Sequence, residues 1–189
     1  MNLTQVKATV EALIFAASEP INVKTIAGIL EIDEHTVKQL ILDLTHEYQE
    51  QNRGIRIVAV ANGYQFCTKS ECAVYLEKLQ RIPRNVGLSR AAVETLAIIA
   101  YKQPVTKGEI EALRGVNIES PLNTLLEKLL VEEAGRKEVA GRPILYRTTN
   151  KFLQYFGLNS LSDLPAIAQW FDSGTLQFAG ETLEVEEHD

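Results

Sequence analysis

One internal repeat limits what this chain can fold into. Laying "EALIFAASEPINVKTIAGIL" over "ETLAIIAYKQPVTKGEIEAL" puts Glu11 on Glu94, Leu13 on Leu96, Phe15 on Ile98, Pro20 on Pro104 and Ile26 on Ile110, with one inserted residue. Two small domains of similar plan, each with its own core, fit a chain of 189 residues that is 46% apolar. In each copy an apolar helix, a Pro and a second helix are followed by a third segment with apolar residues at helical spacing. These are Val37, Leu40, Ile41, Leu44 and Tyr48 in the first, and Leu122, Leu125, Leu126 and Leu129 in the second.

A strand-like hairpin then closes each copy. "IRIVAV" and "YQFCT" flank Asn62-Gly63, a pair that tolerates the positive φ of a tight turn, while "EEAGRKEV" and "PILYRT" flank a longer turn ending at Gly141-Arg142. Three helices and a two-stranded hairpin make the winged-helix plan, so the fold class read here is mainly α with small β-hairpins, in two tandem winged-helix domains. Thr106 and Glu109 have capping-box spacing, and Ser120-Pro121 offers an N-cap before a Pro at the first helical position. "RIPRNVGL" breaks both periodicities. The expected division is an N-terminal domain over 1–80, a linker over 81–88, a C-terminal domain over 89–165 closed by "KFLQYF" and a capped "SLSDLP" turn, and a loose acidic tail over 166–189.

Charge is uneven along the chain. Residues 1–80 hold 7 Lys/Arg against 10 Asp/Glu, residues 81–156 hold 12 against 8, and residues 157–189 hold 0 against 7. A mildly basic second domain thus lies between an acidic first domain and an acidic tail. The longest apolar runs, such as Leu96 to Ala100, are too short for a bilayer. Near the N-terminus Glu11 interrupts "ALIFAAS", so that stretch reads as an amphipathic structural helix and not a leader. Cys67 and Cys72 have neither zinc spacing nor a second pair, which suits a reduced, cytoplasmic protein without a metal. No catalytic group or cofactor site stands out. His35, His46 and His188 lack partners at ligand spacing, and Gly135 and Gly141 lie across a hairpin instead of between a strand and a helix.

A stretch from Leu88 to Asn117, "LSRAAVETLAIIAYKQPVTKGEIEALRGVN", followed by "LLEKLLVEEAGRKEVAGRPILYRTTNKFLQYFGLNSLSDLP", closely resembles the segregation and condensation protein B family. "EALIFAASEP" adds to the likeness in the first half, and Arg142-Pro143 matches the family's "GRP". The resemblance implies a non-enzymatic, dimeric tandem winged-helix protein. Its partner would be the kleisin subunit, segregation and condensation protein A, and through it the SMC ATPase of a bacterial condensin-like complex, cytoplasmic and associated with the nucleoid.

Whether such domains also read DNA is a question of surface chemistry. Base edges are read by Arg, Lys, Asn and Gln, and phosphate neutralisation supplies most of the affinity. The outward face expected for the first third helix carries His35, Gln39, Leu42, His46 and Gln49; the second carries Asn123, Thr124, Glu127 and Val131. Neither suits sequence-specific binding. A winged-helix DNA-binding regulator remains the alternative through the second wing, where Arg136, Lys137 and Arg142 gather, with Arg147 behind and Glu132, Glu133 and Glu138 opposing them.

The first helix of each domain has two apolar faces. Over 3–17, Leu3, Val6, Val10, Leu13, Ile14 and Ala17 form one stripe and Ala8, Ala12 and Phe15 lie opposite, which nominates those three for dimerisation. Over 90–102, Val93, Leu96, Ile99 and Ala100 form the core stripe. Ala91, Ile98 and Tyr101 make the second patch, and with Arg90 and Lys102 on its flanks they are the expected kleisin anchor; Arg136 and Arg142 on the wing come next. The competing reading covers that patch with 151–165.

Overall fold

The structure, a computed structural model, describes residues 2–50, 52–79, 87–165, 177–178 and 181–182. It parts into two compact units, Met1–Pro83 and Arg84–Asp189. Residues 81–86 of the expected linker and most of the expected tail lie outside the described residues.

The first unit runs α1 (Leu3–Ala16), α2 (Val23–Leu30), α3 (Glu34–Glu50), β1 (Ile55–Val60), β2 (Gly63–Thr68), a single turn of 3-10 helix (Ser70–Cys72) and α4 (Ala73–Leu79). Asn2 and Asn22 cap α1 and α2 by accepting from the backbone N–H groups of Gln5 and Thr25, each at 2.8 Å. Val10, Ile14, Ile26, Val37, Ile41 and Leu44 interlock beneath the hairpin and bury the apolar face of all three helices. Antiparallel β1 and β2 pair from Ile55↔Thr68 to Val60↔Gly63. The turn is therefore Ala61-Asn62, both at positive φ (50° and 59°), and not Asn62-Gly63.

Gly63 serves a different end. A Cβ there would lie 2.8 Å from the carbonyl carbon and oxygen of Pro20. That closeness lets the chain before α2 join the sheet, with Ile21 and Tyr64 exchanging both backbone hydrogen bonds at 3.0 and 2.9 Å.

In the second unit the order is α5 (Arg90–Lys102), β3 (Val105–Thr106), α6 (Lys107–Arg114), α7 (Glu119–Glu127), β4 (Val131–Arg136), β5 (Ile144–Thr148) and α8 (Asn150–Tyr155), then a 3-10 turn, Leu161–Asp163, capped by Ser160. Its sheet has the order β3-β5-β4, with Val105 opposite Tyr146 as Ile21 is opposite Tyr64. Both units are winged helices, each with three helices and a hairpin whose second strand takes up the residue after the repeated Pro. Two short strands, β6 (Gln177–Phe178) and β7 (Glu181–Thr182), pair further on.

Several expectations need correcting. Helix α7 starts at Glu119, with Asn117 accepting from its N–H at 2.9 Å, so Ser120 is not the cap. It also ends early. Leu129 takes a left-handed φ of 57° and is exposed, while Val131, expected on an outward helix face, is buried in β4. The hairpin overrides the periodicity because Thr149 N–H bonds the Leu130 carbonyl and the Thr149 hydroxyl bonds that of Leu129, turning the chain out of the helix. Strand β4 stops at Arg136, short of the "KEV" expected to continue it. Leu3 is exposed instead of joining the core of α1, since it sits in the first turn beyond the reach of α3. Helix α4, with Val74, Tyr75 and Leu79 exposed, was not anticipated.

The two first helices match in register but not in burial. At aligned positions, Ala12 and Ala16 of α1 are exposed, whereas Thr95 and Ile99 of α5 are fully buried.

Candidate protein-interaction surfaces

Two side-chain links and a buried stripe fix the rotation of α1. Val10 and Ile14 enter the core, Lys7 pairs with Glu47 at 2.7 Å, and the Tyr48 hydroxyl donates to the Glu11 carboxylate. Burial, with Glu11 beside it, pushes the Tyr48 hydroxyl above the usual tyrosine range. What remains outward includes Ala8, Ala12 and Phe15, all exposed. Phe15 is 73% exposed and touches its own domain through an edge-on contact with Phe66, ring centroids 6.2 Å apart. An aromatic ring left that far in water is the sort of group that a partner surface buries.

Helix α5 is held far more tightly. Ala92, Val93, Thr95, Leu96, Ala97, Ile99 and Ala100 are all buried, so its expected second face has narrowed to a half-buried strip of Ala91, Ile98 and Tyr101. The Tyr101 hydroxyl donates to the Pro165 carbonyl at 2.6 Å, and burial raises its pKa. Tyr101 is thus engaged by the closing segment. Arg90 lies exposed at the helix start, 3.1 Å from Glu94, and Lys102 lies exposed at its end. Glu94 also takes the Arg114 guanidinium at 2.6 Å, while Arg114 donates to the buried Thr95 hydroxyl at 3.1 Å. These bonds join α5 to α6 through a nearly buried cation whose charge is matched.

On the wing, the four expected cations divide. Lys137 pairs with Glu109 and Arg147 with Glu132 at 2.7 Å. Glu109 closes the α6 capping box, accepting from both the N–H and the hydroxyl of Thr106, and the Lys137 ammonium with these Thr106 donors lowers its pKa from 4.5 to about 2. Arg136 and Arg142 are exposed and have no carboxylate partner among the described residues. Arg136 reaches across the wing to the Arg142 carbonyl at 3.1 Å, and Gly141 and Arg142 make the return at positive φ.

His35, Gln39, Leu42, His46 and Gln49 lie exposed on α3. One cation overlooked in that set, Lys38, shares the exposed surface with Glu34, Asp43, Glu47 and Glu50. On α7, Asn123 and Glu127 are exposed and Thr124 is half-buried, with no basic side chain on the helix. Cys67 and Cys72 are free and half-buried. No metal-binding group of side chains occurs among the described residues, and no described helix is long and apolar enough to cross a membrane.

Sequence reasoning missed apolar surface at Ile29, Leu113, Val116 and Leu129, all more than half exposed. Leu113 follows the buried Ile110 by three residues, a spacing that fits a core position equally well. Arg114, inward at the next position, takes that place.

The family model for the segregation and condensation complex subunit ScpB matches residues 8–167. Segregation and condensation protein B of Desulforamulus reducens is 49% identical over 181 residues, covering 96% of each chain. That of Geobacillus thermodenitrificans is 48% identical over 172 residues, covering 90% of this chain and 82% of its own. Among solved structures, ScpB from Mycobacterium tuberculosis is 31% identical with a TM-score of 0.42, covering 84% of this chain and 98% of its own. A dimer of ScpB N-terminal domain complexed with ScpA peptide is 38% identical with a TM-score of 0.40, covering 41% of this chain and 96% of its own. With a family match running from α1 through the closing turn, and near-half identity over almost its full length, this chain belongs to the segregation and condensation protein B family.

Proposed function

We propose that the chain is a non-enzymatic adaptor in chromosome condensation and segregation. It pairs with a second copy through Ala8, Ala12 and Phe15, and it binds the kleisin subunit of a bacterial SMC complex, which links it to the SMC ATPase at the nucleoid. The observation that carries this reading is family membership over residues 8–167. The surface chemistry supports it, because the third helices offer mostly neutral and acidic groups where a DNA reader needs cations. The working division is 1–80, a linker over 81–88, 89–165, and a tail over 166–189.

For the kleisin, the proposed surface is the α5 strip of Ala91, Ile98 and Tyr101 between Arg90 and Lys102, with the Arg136 and Arg142 wing as the second choice. Titration calorimetry with purified kleisin tests the function, and Tyr101→Ala tests the surface. A hot-spot Tyr at the partner contact costs on the order of 2 kcal/mol of affinity on truncation while the melting temperature holds within a few degrees. A large fall in melting temperature with affinity unchanged makes Tyr101 a support for Pro165 and moves the contact to the wing. Absence of kleisin binding at tens of micromolar ends the functional reading.

A further inference from the structure

The α1 face assigned to self-association is small for that task. A stable interface takes roughly 800 Å² from each partner, and one aromatic ring supplies about 150–250 Å² of it. Beside Phe15, Ala8 and Ala12 add little more than two methyl groups. The first unit holds further apolar surface on α4. Cys72, Tyr75, Leu76 and Leu79 fall at helical spacing on one side of that helix and of the turn before it. Its own domain covers only part of this side. Cys72 and Leu76 are half-buried, whereas Tyr75 is 72% exposed and Leu79 78%.

Both surfaces lie toward one end of the unit. Lys69 N–H donates to the Gly54 carbonyl at 2.9 Å, and Cys72 Sγ lies 3.4 Å from where a Gly54 Cβ would be, so α4 departs from beside the start of β1. From the adjacent Arg53, whose guanidinium stands 4.5 Å from the centre of the Tyr48 ring, contacts run from Tyr48 to Phe66 at 5.0 Å and from Phe66 to Phe15 at 6.2 Å. Within one chain Phe15 and Tyr75 both stay exposed, so α4 does not cover its own α1. A two-fold axis lets each copy cover the other, because every contact between the two helices then occurs twice. Spacing and charge agree with this. Tyr75 and Leu79 are one turn apart, as are Ala8 and Ala12, which sets large side chains over small ones. Lys78, 5.9 Å from the centre of the Tyr75 ring, and Glu19, beyond the end of α1, are exposed and have no oppositely charged partner among the described residues.

We propose that α4 of each copy packs across α1 of the other, with Tyr75 and Leu79 against the partner's Phe15 and Ala12. This contact rests on the dimer reading above and adds to it an arm that each copy extends to the other.

The test uses the full-length chain. In sedimentation equilibrium, Tyr75→Ala with Leu79→Ala should raise the dimer dissociation constant about tenfold or more. The melting temperature should hold, since both side chains are exposed. A benzophenone-bearing residue in place of Tyr75, in a mixture of isotopically light and heavy chains, should on illumination link light to heavy and map to α1. A dimer indifferent to the double substitution overturns the α4 contact and leaves the α1 reading standing. An unmutated chain that stays monomeric removes both. Links from α4 to the other copy's α4 overturn the proposal in favour of helix self-pairing, and links within one chain to residues 87–165 overturn it in favour of cover by the chain's own second unit.

Discussion

Gly63→Ala isolates a single close approach. A methyl group at this position meets the Pro20 carbonyl carbon and oxygen at 2.8 Å and the Pro20 Cβ at 3.0 Å. Backbone atoms cannot swing aside as a flexible side-chain end does, so either the Pro20–Ile21 segment or the β2 start must move by several tenths of an ångström. Forcing one carbon into a packed site costs about 1–3 kcal/mol. The movement also strains or breaks the two bonds between Ile21 and Tyr64, worth about 0.5–1.5 kcal/mol each. Against this stands the lower unfolded-state entropy of Ala, about 0.4–1 kcal/mol in favour of the variant. The net expectation is about 1–5 kcal/mol of destabilisation, toward the lower end if the two bonds are strained and not broken. For a domain of this size each kcal/mol lowers Tm by about 4–8 °C.

Urea unfolding followed by circular dichroism measures the loss, fitted with separate transitions for the two units if they separate. Gly108→Ala is the control. Gly108 lies in α6 with nothing within 4 Å of an added Cβ, and Ala there should stabilise by about 0.5–1 kcal/mol. If Gly63→Ala matches the control, or leaves the Ile21 and Tyr64 amides as protected as before, the steric argument is wrong.

Glu109→Gln should alter acid stability. With its folded pKa depressed to about 2, the carboxylate contributes stability that is complete above about 4.5 and is lost as pH falls through the folded value. The variant should flatten the dependence between pH 4.5 and 2 in unfolding curves; an unchanged slope refutes the Lys137 and Thr106 assignment. Phe152→Ala removes a side chain 1% exposed and should cost about 3–5 kcal/mol in denaturant unfolding, with a cost below 1 kcal/mol contradicting its central packing. Phe15→Glu should leave the monomer folded, since the ring is exposed. If the proposed dimer exists it should weaken at least tenfold, and light scattering that finds the unmutated chain monomeric at tens of micromolar removes that surface from the proposal.

The repeat made most of this fold legible. Two sets of helices with fixed apolar spacing, two turn signals and the Thr106–Glu109 box all appear as letters at known separations. What stayed hidden was decided by contacts distant in sequence. Gly63 carries a strong turn signal beside Asn62, yet the Pro20 approach determines its place. Leu129 keeps helical spacing, yet Thr149 pulls its carbonyl out of the helix. On the surfaces, Phe15 was legible because only one side of α1 has core to meet. Tyr101 was ambiguous because its neighbour, Pro165, lies 64 residues away. Charge pairing was hidden for the same reason: nothing local distinguishes Lys137, paired, from Arg136 and Arg142 beside it.

The unequal burial of α1 and α5 bears on how a chain with two similar halves sorts itself during folding. Tandem domains of like sequence are prone to exchanging elements, one half lending a helix to the other's slot. Here the exchange is penalised at named positions. Set into the second unit, α1 would offer Ala16 where Ile99 fills the core and Ala12 where the Thr95 hydroxyl receives Arg114, leaving a void and an unmet donor. Set into the first unit, α5 would turn Ile99 toward water. Each helix is therefore keyed to its own half, and the order of synthesis reinforces the key, because the first unit can close around α1 before α5 has left the ribosome.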